Sequence, residues 1–415
     1  MGGGLGWNSS PGQPGDEKGG PVITFGKEWQ IPIFSEEEGR RRYERIRELM
    51  DYESIDCLVI AGHTGNHRGQ FANIRYVSNY INWFGDEYCL FPLNSEPTLF
   101  VWQWMHEFWA RKVSWIKDIV SSGALDQKMT YPELIAEKIR QLGLERSKIG
   151  VVSEKTMPVS VYKGLTRLVP AATFVDAPHV LTIPRLVKSP AELEFVRKAG
   201  ECADRGVEAM VRAARPGATE YEVVAECESA MIKAGAEPGS QLLFSAKQWP
   251  DGWGLPHGGS MRRLREGDIL LMEVSPCYGG YFGHLLRPIS LGKPSSDFLQ
   301  TFDLHREMYL RARGELKAGN ISTEIEARVG EWALGRSSLS FASPLIQFMD
   351  NCQSGPYRTI LAPGQVFAVH PYTRPPASDL EARRGHVGHI VGDVCIVTEG
   401  DAETVSKLPL EVIVV

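Results

Sequence analysis

Residues 249–291 decide the fold and have the sequence WPDGWGLPHGGSMRRLREGDILLMEVSPCYGGYFGHLLRPISL. Gly267-Asp268 is a turn signal, and the apolar run of residues 269–275 that follows it predicts a buried strand. Residues 278–280, Tyr-Gly-Gly, predict a hairpin turn, because glycine adopts the positive φ values that such turns require. Residues 281–291 then predict the return strand, so a β-hairpin should form here.

The composition limits the classes of function. A chain of 415 residues is long enough for two domains. Its net charge of −6 argues against nucleic-acid binding, which needs concentrated Lys and Arg. No apolar stretch approaches the roughly 20 residues of a membrane span, and the N-terminus lacks the apolar core of a signal peptide. The seven cysteines form no CxxC pair, which is typical of a reducing compartment. We therefore expect a cytoplasmic protein that contacts neither nucleic acid nor membrane.

The first half of the chain has the pattern of an α/β domain. Residues 1–22 are rich in Gly, Pro and Ser and predict a disordered tail. Residues 23–182 alternate predicted helices with predicted strands and so predict one compact domain. Helices are expected at residues 35–50 and 132–142, and strands at residues 57–60, 73–77, 88–91, 96–102 and 148–152.

The second half, residues 183–415, predicts a separate domain with repeated helix pairs. Ser189 followed by Pro190 predicts the start of a long helix at residues 191–214. Thr219 and Glu222 form a capping box for a second helix that runs to Lys233. A similar pattern returns at residues 316–334, which suggests an internal duplication.

The chain resembles creatinases, prolidases, methionine aminopeptidases and aminopeptidase-P-like enzymes over about residues 35–412. In these families a histidine segment precedes a GDxxxxDxG hairpin, whose return strand contains GYxxDxTR. The matching positions are His257, Gly267-Asp268, Gly280-Tyr281, Arg287, Leu186-Val-Lys-Ser-x-Ala-Glu-Leu-Glu194, Ala362-Pro-Gly-Gln-Val-Phe367 and Asp393-Val-Cys-Ile-Val-Thr-Glu-Gly400.

The resemblance implies an α/β (α+β) fold, with an N-terminal creatinase-like α/β domain followed by a C-terminal pita-bread domain. The second domain would have a curved antiparallel sheet with flanking helices, and the sheet would hold the active site. The family's peptidases bind two metal ions through Asp, Asp, His, Glu and Glu. In this chain those five positions fall at Glu273, at His284, near residues 343–345, at His370 and at Gly392. None of the five ligands is kept.

Loss of these ligands removes the carboxylates that would bridge two cations, so a dinuclear Xaa-Pro or methionine aminopeptidase is not expected. Glu273, His284 and His370 can still bind metal or move protons. One hypothesis is a mononuclear site for Fe(II), Mn(II) or Zn(II) made by these three residues. The other is a metal-free site, as in creatinase, where a histidine at the His257 position acts as acid and base.

We expect a small-molecule enzyme, a hydrolase or lyase, that cleaves a C–N or related bond of a polar metabolite. His257 would be the acid/base, with Glu273, His284 and His370 at the centre of the site. The candidate substrate-binding residues are Arg287, Trp249, Trp253 and Tyr281. Creatine itself is not expected, because Leu286 stands where creatinase has a glutamate.

Other interpretations stay open. The trio could support Fe(II)-dependent lyase or oxidative chemistry, or the protein could be a non-catalytic binding module. Arg287 could tie strands together instead of binding substrate, and His386 and His389 could be structural. The resemblance also implies a homodimer, for which the aromatic residues Tyr80, Trp83 and Phe84 would supply contacts.

Overall fold

The structure is a computed structural model that describes residues 22–25, 29–63, 72–80, 85–122, 129–152, 157–238, 241–248, 259–337, 339–348, 358–374 and 389–415. Several predicted residues lie outside these ranges, namely Trp83, Phe84, Trp249, Trp253, His257 and His386. In the described parts of the chain, none of the helices has the length and apolarity that crossing a membrane requires.

The N-terminal half is built on a mixed six-stranded sheet with the strand order β6-β5-β4-β3-β7-β8. The central strand β3 pairs antiparallel with β4 and parallel with β7. A separate hairpin, β1-β2, precedes the sheet. The strands are β1 Val22–Phe25, β2 Trp29–Pro32, β3 Cys57–His63, β4 Asp86–Pro92, β5 Thr98–Val101, β6 Asp118–Ser121, β7 Lys148–Val152 and β8 Thr173–Asp176.

Helices cover both faces of this sheet, so β3 and β4 contribute side chains to two buried clusters. The alternating pattern of the sequence therefore predicted the α/β architecture correctly. The helices are α1 Glu36–Tyr52, α2 Ala72–Ser78, α3 Trp104–Val113, α4 Tyr131–Gln141, α5 Val159–Leu168 and α6 His179–Leu186.

Two predictions for this half were wrong. The strand expected at residues 73–77 is the helix α2, in which Ile74 and Val77, three residues apart, are both fully buried. A short apolar run does not by itself separate helix from strand, and here packing decides. Tyr80, which follows α2, is 1% exposed, so it belongs to the core and not to an exposed aromatic surface.

The C-terminal half begins with two long helices, and each begins at the N-terminal cap that the sequence predicts. The Ser189 hydroxyl accepts from the Glu192 N–H while the Glu192 carboxylate accepts from the Ser189 N–H. Thr219 and Glu222 form the same reciprocal capping box. The helices of this half are α7 Pro190–Ala213, α8 Glu220–Lys233, α9 Ser296–Glu315 and α10 Ser322–Leu334.

A curved nine-stranded sheet follows the order β16-β17-β19-β13-β10-β14-β21, with β9 also paired to β10 and β20 to β19. Smaller pairs are β11-β12 and β15-β18. The strands are β9 Gln241–Gln248, β10 Asp268–Ser275, β11 Cys277–Tyr278, β12 Tyr281–Phe282, β13 Leu285–Leu286, β14 Ile289–Ser290, β15 Phe341–Ser343, β16 Ile346–Phe348, β17 Val366–Val369, β18 Tyr372–Arg374, β19 Gly392–Ile396, β20 Glu403–Thr404 and β21 Ile413–Val414.

The predicted hairpin turn is confirmed, because Gly279 and Gly280 both have positive φ values, 58° and 90°. The return strand is not continuous, however, and divides into β12, β13 and β14. At the first break, a Cβ on Gly283 would lie 2.6 Å from the carbonyl oxygen of Ala199 in α7. Because Gly283 has no side chain, the backbone of α7 packs directly on the hairpin at this point.

Candidate functional site

Glu273 lies on β10 between Met272 and Val274, whose side chains are buried in the cluster beneath the long helices. Because successive side chains of a strand point to opposite faces, Glu273 faces away from that cluster. Its side chain is partly buried. Burial raises the pKa of this carboxyl group, since an apolar surrounding disfavours the charged form.

His370 directly follows β17 and is 5% exposed. Its backbone N–H donates to the carbonyl oxygen of Leu345, over 3.3 Å. The antiparallel register of β17 with β19 brings His370 beside Gly392. A Cβ on Gly392 would lie 2.7 Å from the Cβ of His370, closer than real Cβ atoms approach. The glycine is therefore what leaves room for His370.

His389 precedes β19, and its ring lies 4.2 Å from the ring of His370, measured between centroids. Its Nδ1 lies 3.0 Å from the backbone oxygen of His370. A carbonyl oxygen only accepts, so Nδ1 must carry the proton and Nε2 must carry the lone pair. Metal-binding histidines are commonly oriented by a hydrogen bond of this kind.

Glu273, His370 and His389 form one compact group, with a ligand atom from each residue within 4.8 Å of those of the other two. Burial lowers the pKa of both histidines, and the neighbouring imidazoles lower that of His370 further. Both rings are therefore neutral at neutral pH, as metal ligands must be. One carboxylate and two neutral imidazoles fit one divalent cation.

This group differs from the predicted trio by one residue, because His389 takes the place of His284. The ring of His284 lies 5.0 Å from that of His370, edge to face. Its Nδ1 is hydrogen-bonded to Oγ of Ser275, over 3.0 Å, and its Nε2 has no hydrogen-bond partner among the described residues. Burial, followed by the nearby His389, lowers the pKa of His284 to about 3.

Among the residues that the structure describes, this group differs from the two-cation centre that the resemblance implies for the family's peptidases. Such a centre needs carboxylates that bridge two cations. The compact group contains one carboxylate, that of Glu273. At position 392 the approach of His370 leaves no space for any side chain.

Arg287 was a candidate for substrate binding, but its side chain is only 1% exposed. The guanidinium forms an ion pair with Asp393, over 2.9 Å, and donates to the carbonyl oxygens of Leu286, Gly392, Leu408 and Pro409. These bonds join β13, β19 and the C-terminal segment. The structure therefore favours the alternative role, in which Arg287 ties strands together.

Tyr281, another substrate-binding candidate, lies in a polar cluster between the two halves of the chain. Its hydroxyl donates to Glu192, over 2.6 Å, and accepts from Arg42, over 3.3 Å. Its ring packs against Phe34 and Phe195. These contacts assign Tyr281 to the packing of α1 against α7. The remaining candidates, Trp249, Trp253 and His257, lie outside the described residues.

Sequence reasoning did not select His389, because it is three residues away from the position of a family ligand. A usable signal was present in the strand pairing. Residues 366–369 and 392–396 predict two antiparallel strands, and their register brings the residue after the first beside the segment before the second. That register places His370 and His389 at the same end of the sheet.

Comparison with known proteins agrees with this architecture. Residues 42–187 match the creatinase/prolidase N-terminal domain, and residues 194–399 match metallopeptidase family M24. Creatinase of Bacillus sp. is 24% identical over 406 residues, 94% of this chain and 95% of that protein. A probable dipeptidase PepE of Mycobacterium bovis is 30% identical over 256 residues, which span 58% of this chain and 64% of the relative.

Among solved structures, an X-Pro aminopeptidase from Thermotoga maritima superposes with a TM-score of 0.75 at 21% identity, over 90% of this chain and 99% of that one. This likeness shows the fold. The two sequence relatives described above are hydrolases by name. Since the N-terminal and C-terminal halves match adjoining domains of one architecture, the chain belongs to the pita-bread family of creatinases, prolidases and M24 metallopeptidases.

Proposed function

We propose that the protein is a hydrolase of small polar molecules that binds one divalent cation through Glu273, His370 and His389. In this proposal it cleaves a C–N or related bond and is not a dinuclear Xaa-Pro or methionine aminopeptidase. The observation that carries the proposal is the convergence of one carboxylate and two imidazoles within 4.8 Å.

Charge supports a polar, anionic substrate. One carboxylate and two neutral imidazoles leave a bound divalent cation with a net charge of about +1 and with open coordination positions. Such a cation would polarise a bound oxygen or activate water. A carboxylate-bearing metabolite would complement the remaining positive charge, whereas a dinuclear centre needs further carboxylates to bridge its cations.

The chain's own residues orient the site. The carbonyl oxygen of His370 holds His389 with its Nε2 lone pair exposed to a ligand, and Gly392 gives His370 its space. The leaving nitrogen needs a proton when a C–N bond breaks. We assign that task to His257, which precedes the hairpin in sequence.

The same donor set supports a second candidate, an Fe(II)-dependent lyase or an enzyme of oxidative chemistry. Two histidines and one carboxylate are the ligands of many non-haem Fe(II) oxygenases. Metal analysis of the purified protein separates the two candidates only when joined to an activity test. Turnover that requires Fe(II), with oxygen consumed if the chemistry is oxidative, would favour the second candidate, and hydrolysis with Zn(II) or Mn(II) and without oxygen would favour the first.

The experiment that tests the proposal is an assay with Xaa-Pro dipeptides and N-terminal Met peptides, in the presence of Mn(II) or Co(II). We expect no turnover of either class, together with turnover of at least one small amide or amidine that carries a carboxylate. Efficient metal-dependent cleavage of the peptides would contradict the proposal. Binding of such amides without any turnover would favour a non-catalytic module.

We also propose that the protein is a homodimer, as the family resemblance implies. Tyr80 is buried within its own domain, so any aromatic contact must come from other residues. Light scattering at micromolar concentration should report twice the chain mass, and a monomer would refute this part of the proposal.

A further inference from the structure

Ser275 and His284 form a buried pair beside the proposed cation site. Ser275 lies two residues after Glu273 on β10, so both side chains are on the same face of the strand. Val274 pairs with Leu285, and this register places Ser275 beside His284. Oγ of Ser275 and Nδ1 of His284 are 3.0 Å apart.

The direction of this hydrogen bond follows from the inventory of donors. Ser275 is 8% exposed, and in the described structure its hydroxyl has His284 as its hydrogen-bond partner. If Nδ1 carried the proton, the Ser275 hydroxyl proton would be left without a described acceptor. Buried polar groups are seldom left unpaired. With the opposite direction the unpaired donor is Nε2–H of a ring that packs against His370, where a ligand oxygen of the cation site can accept it. That direction, in which the hydroxyl donates to Nδ1 and the proton of the neutral ring lies on Nε2, is the one that a bound ligand completes.

The Nε2–H group of His284 is then a buried donor that is available to a ligand. Within the described residues it has no hydrogen-bond partner, and the side chain of His284 is 9% exposed. The ring is in edge-to-face contact with that of His370, so the imidazole that carries this donor borders the cation site.

We propose that Nε2–H of His284 donates a hydrogen bond to a carbonyl or carboxylate oxygen of the substrate, and that Ser275 is the positioning residue that fixes this tautomer. The proposal rests on the proposed function, because it places the substrate at the centre formed by Glu273, His370 and His389. It narrows the substrate class to molecules with an oxygen acceptor next to the bond that breaks. An analogue without that oxygen would leave the buried donor unpaired and should be rejected.

The tautomer is tested by long-range ¹H–¹⁵N NMR of the histidine rings, with the His284 signals assigned from the His284→Gln variant. We expect an unprotonated Nδ1 and a protonated Nε2, both in metal-free protein and after loading with Zn(II). In Ser275→Ala the preference should be lost, and Ser275→Thr, which keeps the hydroxyl, should restore it. A proton on Nδ1 in the wild type would overturn the inference whether or not the protein binds metal.

The oxygen acceptor is tested with acetate as the probe, by calorimetry on Zn(II)-loaded protein. His284→Phe removes the donor, and Ser275→Ala removes the hydrogen bond that fixes the tautomer of His284. Each variant should therefore bind acetate about 5- to 20-fold more weakly, which is the effect of one buried hydrogen bond. Zn(II) content should be unchanged in both variants. Ser290→Ala is the matched control, since Ser290 is a buried strand serine that donates to the oxygen of Gly292 instead.

The outcomes separate the two proposals. Unchanged acetate affinity in both variants, with Zn(II) bound, would overturn the role of His284 and leave the cation site standing. A wild-type protein that binds no Zn(II) would refute the proposed function, while the NMR experiment would still decide the tautomer.

Discussion

The side chain of His370 closes the space above Gly392: a Cβ on that glycine would lie 2.7 Å from the Cβ of His370 and 2.9 Å from the backbone oxygen of Val369. In the family's peptidases the two positions are expected to carry the two glutamate ligands. In this chain the corresponding residues are Gly392, which has no side chain, and His370, whose side chain lies in the space above that glycine. The two changes therefore support each other physically.

Gly392→Ala should destabilise the protein and weaken metal binding. The new methyl group must displace His370 or its strand, and overpacking of this kind costs about 1–3 kcal/mol. Urea denaturation and metal analysis would measure both effects. Gly314→Ala is the matched control, because a Cβ there meets no atom within 4 Å and Gly314 lies in α9. Equal effects of the two substitutions would contradict the tight approach.

His389 should matter more for metal binding than His284 does. We expect His389→Ala and Glu273→Gln each to reduce bound metal strongly, since each removes one of three ligands. His284→Gln should keep the metal, because His284 lies outside the compact group. Inductively coupled plasma analysis of the dialysed variants decides between the two histidines. Metal loss in His284→Gln with retention in His389→Ala would restore the trio predicted from sequence.

The stability of the metal-free protein should fall as the pH decreases from about 6.5 toward 3. His284 has a folded-state pKa of about 3, below the ordinary value of about 6.5 that applies when it is unfolded. Between these values the unfolded chain binds the extra proton, so the unfolding free energy decreases with decreasing pH, by up to about 1.4 kcal/mol per pH unit for this histidine.

The contribution of His284 is measured as a difference of slopes. Urea denaturation of wild type and His284→Gln at several pH values should give a shallower pH dependence in the variant. Burial raises the pKa of Glu273, which acts in the opposite direction, but that group is present in both proteins and cancels. Identical slopes would show that His284 titrates normally in the folded state.

The substitution Arg287→Met should lower the stability of the fold, and any loss of substrate binding should follow from that. The change leaves the buried carboxylate of Asp393 without its ion pair, and removal of one partner of such a pair costs about 3–5 kcal/mol. Thermal and urea denaturation would detect the loss. A variant of normal stability that no longer binds carboxylate ligands would instead show that Arg287 binds substrate.

The sequence was most informative where local chemistry determines structure. The capping boxes at Ser189 and Thr219 were predictable because each is a reciprocal hydrogen-bond pair between residues three apart. The turn at Gly279-Gly280 was predictable because few residues adopt positive φ. Residues 73–77 were mistaken for a strand, since a helix of one or two turns and a short strand share the same apolar composition.

The site was predictable only in part, because it depends on contacts between distant segments. Glu273 and His370 were selected from the positions of family ligands. His389 is placed in the site by its hydrogen bond to the backbone oxygen of His370, and that bond depends on the register of β17 with β19. No sequence motif marks His389. The structural role of Arg287, which joins strands instead of binding substrate, likewise depends on tertiary contacts with Asp393 and with the C-terminal segment.

The central claim is that one divalent cation binds at Glu273, His370 and His389. Titration of chelated protein with Zn(II) or Mn(II), followed by calorimetry, tests it most directly. The account predicts a stoichiometry of one cation per chain, which His389→Ala abolishes and His284→Gln retains. Two cations per chain, or full catalytic activity after exhaustive chelation, would contradict it.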